Sequence, residues 1–297
     1  MVALKPHTIV LSGGGVRALA HIGALQHLHN KGILTNVRKW IGLSAGALVA
    51  FALTIGYSLH ELRDICERID FEILQDLEEG LPFSFFDKLG LDTGCRLKKF
   101  LTALLTVKGF QATTTFQMIK ERHLPSLEIY ATDLHTGDAK CFNSENTPHT
   151  PIVDALRASM SLPVYFQPVI DSDTGHQLTD GAILGMYPRA YIQAPDGDPG
   201  ILGLLLIPKI DYTIMENNIK DYILRIFNIF CESRNKEQYE RFKTTTILIE
   251  TDSMSPVDFK MTPEIRSGLF NAGEHAAANY LSRCYEVKQP IKRRHSL

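Results

Sequence analysis

Apolar and polar positions in the first 55 residues predict two successive strand–helix units. Thr8–Leu11 is a short run of β-forming residues, and after three glycines apolar side chains recur at helical spacing over Ala18–Leu28. A second strand is predicted over Val37–Gly42, and an apolar helix follows it directly over Ser44–Ile55. This succession favours adjacent parallel strands, because each helix returns the chain along the sheet.

The rest of the chain continues as alternating strands and helices. Helices are predicted over Ser58–Ile69, Arg96–Leu105, Ile152–Met160, Met215–Glu232 and Pro263–Tyr285, and strands over Leu127–Thr132, Ala139–Phe142, the hairpin Val169–Leu178, Ile201–Ile207 and Thr246–Glu250. No internal repeat or low-complexity linker separates them, and Asp196–Gly200 is predicted as a surface loop. We therefore expect one α/β domain over residues 1–297, with a central, mostly parallel sheet flanked by helices.

The composition is that of an ordinary globular protein, and it gives no reason to expect nucleic-acid binding. Hydrophobic residues make up 44% of the 297 positions, and 31 Lys and Arg nearly balance 33 Asp and Glu. The N-terminus lacks the charged, apolar and small-residue segments of a secretory signal. The longest weakly polar stretch, Ala45–Ile55, is shorter than the roughly 18 residues of a membrane-spanning helix. We expect a cytoplasmic protein, soluble or peripheral to membranes.

Five cysteines are scattered along the chain without any C-x-x-C spacing. An odd number in that arrangement favours neither a disulfide framework nor a zinc site. We expect all five to be reduced and mostly buried thiols.

The second strand–helix junction carries a candidate nucleophile. It reads G-L-S-A-G and fits the pattern G-x-S-x-G, with Ser44 between Gly42, Leu43, Ala45 and Gly46. Small flanking residues let the backbone bend sharply and present the serine hydroxyl at a helix N-terminus. Because a serine hydroxyl is a poor nucleophile until a base takes its proton, the sequence must also supply that base.

Asp180 and His275 are the candidate bases. Asp180 lies in L-T-D-G-A, at the end of a strand-like segment, where an ordinary Asp-Gly turn is the alternative interpretation. In the chain order of an α/β-hydrolase, Ser44, Asp180 and His275 would form a triad. In that fold, however, the elbow normally follows several strands, and only two are predicted before Ser44. His275 is also explained as a surface or interhelical residue of a late helix.

The glycine-rich turn after the first strand predicts an anion site. Gly13–Arg17 leads into a helix, where backbone N–H groups and the helix dipole suit a phosphate or the oxyanion of an acyl-transfer intermediate equally well. No Lys-Ser/Thr pair follows as in a P-loop, and Ala18 holds the last glycine position of a dinucleotide motif. A non-catalytic phosphate- or lipid-binding protein remains an alternative at this point.

Together these segments resemble the patatin-like phospholipases. That family combines a glycine-rich turn followed by Arg or Lys, a G-x-S-x-G elbow, and an Asp-Gly-Ala or Asp-Gly-Gly segment. Here they read G-G-G-V-R-A from Gly13, G-L-S-A-G from Gly42 and D-G-A from Asp180. A fourth stretch, Ala155–Phe166, reads A-L-R-A-S-M-S-L-P-V-Y-F and is similar to the family's serine-proline block.

The resemblance covers about residues 8–190 and implies a three-layer α/β/α fold. Residues 200–285 are expected to complete the same domain, and residues 286–297 to form a basic, flexible tail. Ala18 stands where the family usually has glycine. Alanine is the smallest change available and favours the helix that begins there.

The resemblance implies a lipid acyl hydrolase with Ser44 as nucleophile and Asp180 as base, without a catalytic histidine, a metal or a cofactor. Its substrates would be fatty-acyl esters of glycerolipids, cleaved in the manner of a phospholipase A or lysophospholipase at a membrane surface. An activating protein partner remains an open question. The site residues implied are an oxyanion hole of Gly13, Gly14, Gly15, Val16 and Arg17, the elbow, and the motif Asp180, Gly181 and Ala182.

Three features have alternative interpretations. Arg17 could steady the glycine turn, bind a lipid phosphate or be a solvated surface side chain. The phenylalanine-rich segment Leu81–Leu91 could be a lid or an interfacial patch, or it could pack in the core. The basic C-terminal end could approach an anionic membrane or remain a solvated tail.

Overall fold

A computed structural model describes residues 4–76, 89–209, 219–252, 254 and 257–286. Its strands are β1 (Thr8–Leu11), β2 (Lys39–Leu43), β3 (Gly90–Asp92), β4 (Ser126–Asp133), β5 (Ala139–Phe142), β6 (Val164–Phe166), β7 (Val169–Ile170), β8 (Gln177–Asp180), β9 (Ile201–Pro208) and β10 (Thr246–Thr251). The main sheet has the order β10-β9-β1-β2-β4-β8-β7, and β5 also pairs with β4. Neighbours from β10 to β4 are parallel, whereas β5, β7 and β8 pair antiparallel.

Helices connect the parallel strands and cover the sheet. They are α1 (Leu19–Asn30), α2 (Ala45–Thr54), α3 (Leu59–Arg68), α4 (Cys95–Val107), α5 (Phe116–Glu121), α6 (Ile152–Ser159), α7 (Ile219–Phe242) and α8 (Pro263–Glu286). Helix α3 begins with a capping box, in which the Ser58 hydroxyl accepts from the Glu61 amide and the Glu61 carboxylate accepts from the Ser58 amide. This capping box explains why a helix with mostly polar residues starts at that point.

Alternating side chains divide the core between the two faces of the sheet. Ile9 and Leu11 of β1 belong to a buried cluster with residues of α1, α2 and α8. Val10 belongs to a second cluster, which includes Cys231 of α7. Because successive strand side chains point to opposite faces, a strand that is buried on both faces needs a continuous apolar run. Helices therefore cover both faces, and the prediction of a mostly parallel, three-layer α/β sheet is confirmed.

Several sequence predictions need correction. The short strands β3 and β6 were not predicted; they pair in parallel as a separate small sheet. Helix α7 continues to Phe242, ten residues beyond the predicted end at Glu232. Of the five cysteines, Cys231 is buried, Cys95 is exposed and the other three are partly exposed. The expectation that most of the thiols are buried is therefore wrong.

The phenylalanine-rich segment and the basic C-terminal tail lie largely outside the described residues. Of Leu81–Leu91 the structure describes only positions 89–91, and of the tail 286–297 only the end of α8. Within the described part of the chain, no helix combines the length and the apolar character that crossing a membrane requires.

Candidate active site

Ser44 lies at a sharp turn between β2 and α2. Its backbone has φ 52° and ψ −130°, a conformation that costs free energy for a residue with a side chain. A Cβ atom on Gly42 would collide with the backbone of Ala47, and one on Gly46 with the carbonyl of Ser12. The tight turn therefore requires the two glycines of the G-x-S-x-G pattern.

The Ser44 hydroxyl donates a hydrogen bond of 2.7 Å to Oδ2 of Asp180. Asp180 ends β8 and is 2% exposed, and its Oδ1 accepts from the Ala182 amide at 2.9 Å. Burial raises the pKa of the Asp180 carboxyl to about 7, and the bonds from Ser44 and Ala182 oppose that rise. The pair therefore consists of a hydroxyl and a carboxylate whose proton affinity suits exchange near neutral pH.

Backbone contacts fix Asp180 in the sheet. Its amide donates to the Ser161 carbonyl at 2.9 Å, and its carbonyl accepts from the Thr132 hydroxyl at 3.0 Å. In the antiparallel register of β4 and β8, Asp180 lies opposite Ala131. These contacts hold the carboxylate beside the elbow.

Ser159 fixes the elbow itself, a contact that sequence reasoning missed. The Ser44 amide donates to Oγ of Ser159 at 2.8 Å, and this hydroxyl donates to the Tyr130 carbonyl at 2.6 Å. Ser159 is completely buried at the end of α6. The available signal was a pair of serines in the otherwise apolar stretch A-S-M-S-L-P, because buried polar groups need partners.

Replacing Ser159 with alanine is expected to lower kcat about 10- to 100-fold while changing KM little. The substitution leaves the Ser44 amide without its acceptor, so the nucleophile shifts relative to its base. Steady-state kinetics on a soluble aryl ester would measure kcat and KM separately. Ser282→Ala, at an exposed serine of α8, serves as the control. An unchanged kcat would contradict this positioning role.

The glycine turn lies directly against the elbow. A Cβ atom on Gly13 would lie 3.0 Å from Leu43 Cδ2 and 3.3 Å from Ser44 Cβ. The Gly13 amide donates to the Met186 carbonyl at 2.9 Å, and the Arg17 amide donates to the Gly14 carbonyl at 3.3 Å. These two amides, included in the predicted oxyanion hole, are thus already used within the protein.

Three amides of the turn have no hydrogen-bond acceptor among the described residues, namely those of Gly14, Gly15 and Val16. The first N–H groups of a helical segment have no partner within that segment, so they can bind an external anion. Gly14, Gly15 and Val16 also line the same cavity as Ser44 and Asp180. Of the five residues predicted to form the oxyanion hole, only these three therefore have an amide that is free to bind an anion.

Arg17 is buried, which makes its interpretation as a solvated side chain wrong. It is 1% exposed, and its Nε donates to the Gly14 carbonyl at 3.0 Å. Burial lowers the pKa of the guanidinium to about 10, so it stays charged at neutral pH. Arg17 thus steadies the turn that lines the cavity.

His21 braces the start of the same turn from α1. Its Nε2 donates to the Ser12 carbonyl at 2.9 Å, and the side chain is fully buried. Burial lowers the pKa of the imidazole to about 4, so the ring is neutral at physiological pH. Sequence reasoning passed over His21, although a histidine on a buried helix face requires a polar partner.

The cavity at Ser44 is almost entirely apolar. Leu19, Leu48, Phe100 and Met160 are among its walls, which come from α1, α2, α4 and the segment after α6. Ser44 and Asp180 supply its polar groups, together with the glycine turn. The cavity therefore suits a long hydrocarbon group with one polar end.

His275 lies away from this cavity. It is exposed on α8 and lines a surface depression with Tyr239 and Glu250, and it is not among the residues that line the Ser44 cavity. The arrangement gives no support to a triad of Ser44, Asp180 and His275.

The fold and this site define an α/β protein with a buried serine–aspartate pair at an apolar cavity. A family model described as patatin-like phospholipase matches residues 9–191. The chain belongs to the patatin-like phospholipase family.

Individual proteins are similar to this chain over most of its length. The uncharacterized protein YqhO of Bacillus subtilis is 26% identical, covering 92% of this chain and 97% of that protein. The probable lipid hydrolase 463L of Invertebrate iridescent virus 6 is 24% identical, with 93% and 90% covered. The crystal structure of VipD from Legionella pneumophila matches with a TM-score of 0.65 at 18% identity, covering 94% of this chain and 67% of VipD, and so shares its fold.

Proposed function

We propose that this protein is a lipid acyl hydrolase that cleaves fatty-acyl esters of glycerolipids through a Ser44–Asp180 dyad. The observation that carries the proposal is the 2.7 Å hydrogen bond between the two side chains at the wall of an apolar cavity. Family membership and the similarity to a probable lipid hydrolase support the same class of substrate.

In the proposed reaction, Asp180 accepts the Ser44 proton as Oγ attacks the ester carbonyl. The carbonyl oxygen becomes an oxyanion, for which the amides of Gly14, Gly15 and Val16 and the N-terminus of α2 provide positive partial charges. Collapse expels the alcohol, which takes the proton from Asp180 and leaves an acyl group on Ser44. Asp180 then takes a proton from a water molecule whose oxygen attacks the acyl carbonyl, and passes it to Oγ of Ser44 as the bond to the fatty acid breaks.

An exposed apolar stripe on α7 supports contact with a lipid surface. Tyr222, Ile226, Ile229 and Phe230 are about half exposed and fall on one side of the helix. The adjacent Cys231 thiol donates to the Ala182 carbonyl at 3.3 Å, so α7 lies against the segment that carries Asp180. The stripe lies on the side of α7 away from Cys231, so it can contact a lipid surface while the other side of the helix packs on the protein.

Hydrolysis of phosphatidylcholine vesicles tests the proposed function directly. The wild-type protein is expected to release fatty acid, measured by mass spectrometry, and His275→Ala is expected to retain that activity. The variant is informative because a triad would require His275, whereas the dyad does not. Loss of activity in folded His275→Ala would favour the triad. The absence of ester hydrolysis in the wild type on vesicles and on a soluble aryl ester would favour a non-catalytic lipid-binding protein.

A further inference from the structure

A second cluster of chemically reactive side chains lies outside the cavity. Asp133 ends β4, His135 follows in the turn before β5, and His176 immediately precedes β8. One nitrogen of each imidazole and one carboxylate oxygen of Asp133 lie within 4.8 Å of one another. None of the three residues lines the Ser44 cavity.

Hydrogen bonds hold this cluster in place. Oδ1 of Asp133 accepts from the amides of His135 at 2.8 Å and Thr136 at 3.3 Å, and its Oδ2 lies 2.7 Å from Nδ1 of His176. The two imidazole rings stack with centroids 4.6 Å apart and an interplanar angle of 11°. His135 Nδ1 accepts from the Gln177 amide at 3.2 Å. The buried carboxylate thus hydrogen-bonds one ring, and the amide at the start of β8 hydrogen-bonds the other.

We propose that Asp133, His135 and His176 bind a divalent transition-metal ion of the Zn²⁺ type. Two imidazole nitrogens and one carboxylate oxygen form a ligand set that suits Zn²⁺ and its neighbours, whereas Ca²⁺ and Mg²⁺ prefer oxygen ligands. Ligand bonds of about 2.0–2.2 Å bring the donor atoms closer than they lie here. Binding would exchange the present hydrogen bonds of the two rings for ligand bonds: rotation of the exposed His135 and half-buried His176 side chains would bring the donor atoms together, and solvent would complete the coordination.

The ion would join two separate turns of the sheet. His135 belongs to the connection between β4 and β5, and His176 to the hairpin between β7 and β8. Strand β8 ends at Asp180, so the bound ion would secure the strand that carries the carboxylate. The sequence did not predict this site because His135 and His176 lie 41 positions apart and form no recognised metal motif.

Calorimetric titration of tag-free, chelator-treated full-length protein with ZnCl₂ tests the site. One saturable site is expected, and Zn²⁺ at about 100 times its Kd should raise Tm by about 5 °C. His135→Gln and His176→Gln should each weaken Zn²⁺ binding at least about 10-fold. His60→Gln is the matched control, because His60 pairs with Asp64 at 3.4 Å on an exposed helix face, and it should bind Zn²⁺ like the wild type.

Co²⁺ provides a spectroscopic readout that does not depend on catalysis. Co²⁺ bound by these three ligands should give visible absorption that is lost in both histidine variants and unchanged in Ser44→Ala. Circular dichroism without metal establishes that the variants are folded. Equal Zn²⁺ affinity in the wild type and both folded histidine variants, or no saturable binding in the wild type, would overturn the proposal. Because Ser44→Ala separates metal binding from hydrolysis, either proposal can fail alone.

Discussion

Replacing Ser44 with alanine is expected to abolish ester hydrolysis without unfolding the protein. The substitution removes the only atom that attacks the ester in the proposed mechanism, and in serine hydrolases such a loss costs about 10⁶-fold in kcat. Alanine also carries a Cβ atom, so the positive φ of 52° is no more strained than in the wild type. Loss of the hydroxyl leaves the Asp180 carboxyl without one hydrogen bond, and its pKa should rise further.

A fluorophosphonate probe and intact-protein mass spectrometry would measure the nucleophile directly. The wild type should gain one adduct at Ser44, and Ser44→Ala should gain none, in parallel with activity on an aryl ester and on phosphatidylcholine vesicles. Ser172→Ala, at an exposed hairpin serine, should react like the wild type. Hydrolysis at the wild-type rate by Ser44→Ala would contradict the dyad.

The first half of the site could be predicted because its signals are local. Strand, glycine turn and helix follow one another within about 20 residues, and β1 and β2 are neighbours in the sheet as well as in sequence. Asp180 was singled out as a strand-end carboxylate. Its distance to Ser44 depends on the antiparallel pairing of β8 with β4, which a four-residue strand does not reveal by itself.

The supporting contacts could not be predicted because they join distant parts of the chain. The Ser159 hydroxyl accepts from the Ser44 amide, 115 positions away in the sequence, and the Gly13 amide donates to the Met186 carbonyl. A sequence motif assigns the same role to every residue of a segment, whereas the hydrogen bonds show which of those residues have an amide already bound within the protein. Gly13 and Arg17 therefore differ from Gly14, Gly15 and Val16 although all five belong to one motif.

Replacing Asp180 with asparagine is expected to lower kcat/KM about 100- to 10,000-fold, the usual contribution of a general base. Asparagine is nearly the same size, and its side-chain carbonyl can still accept from the Ala182 amide. Its amide group cannot take a proton from Ser44. Asp173→Asn, at an exposed carboxylate of the β7–β8 hairpin, is the control and should retain full activity. Wild-type kinetics in folded Asp180→Asn would exclude Asp180 as the base.

The raised pKa of Asp180 adds a pH dependence with opposite signs for activity and stability. Only the carboxylate can act as a base, so kcat/KM of the wild type should fall about tenfold per pH unit below pH 7. In the folded protein the Asp180 carboxyl keeps its proton up to about pH 7, whereas in the unfolded chain it loses the proton near pH 4. Asp180 therefore contributes most stability below pH 4, and that contribution is lost as pH rises through 7.

Asp180→Asn should consequently be more stable than the wild type at pH 8 and nearly equal to it at pH 4. A pKa difference of roughly three units sets a ceiling of about 4 kcal/mol on the gain in unfolding free energy at pH 8. Urea unfolding at both pH values would measure it, with Asp173→Asn expected to show no such gain. A gain of equal size at pH 4 and pH 8 would mean that packing, rather than removal of a buried carboxylate, stabilises the variant. Stability and activity would then oppose each other at one residue, since the burial that makes Asp180 an effective base also makes its ionised form costly in the folded protein.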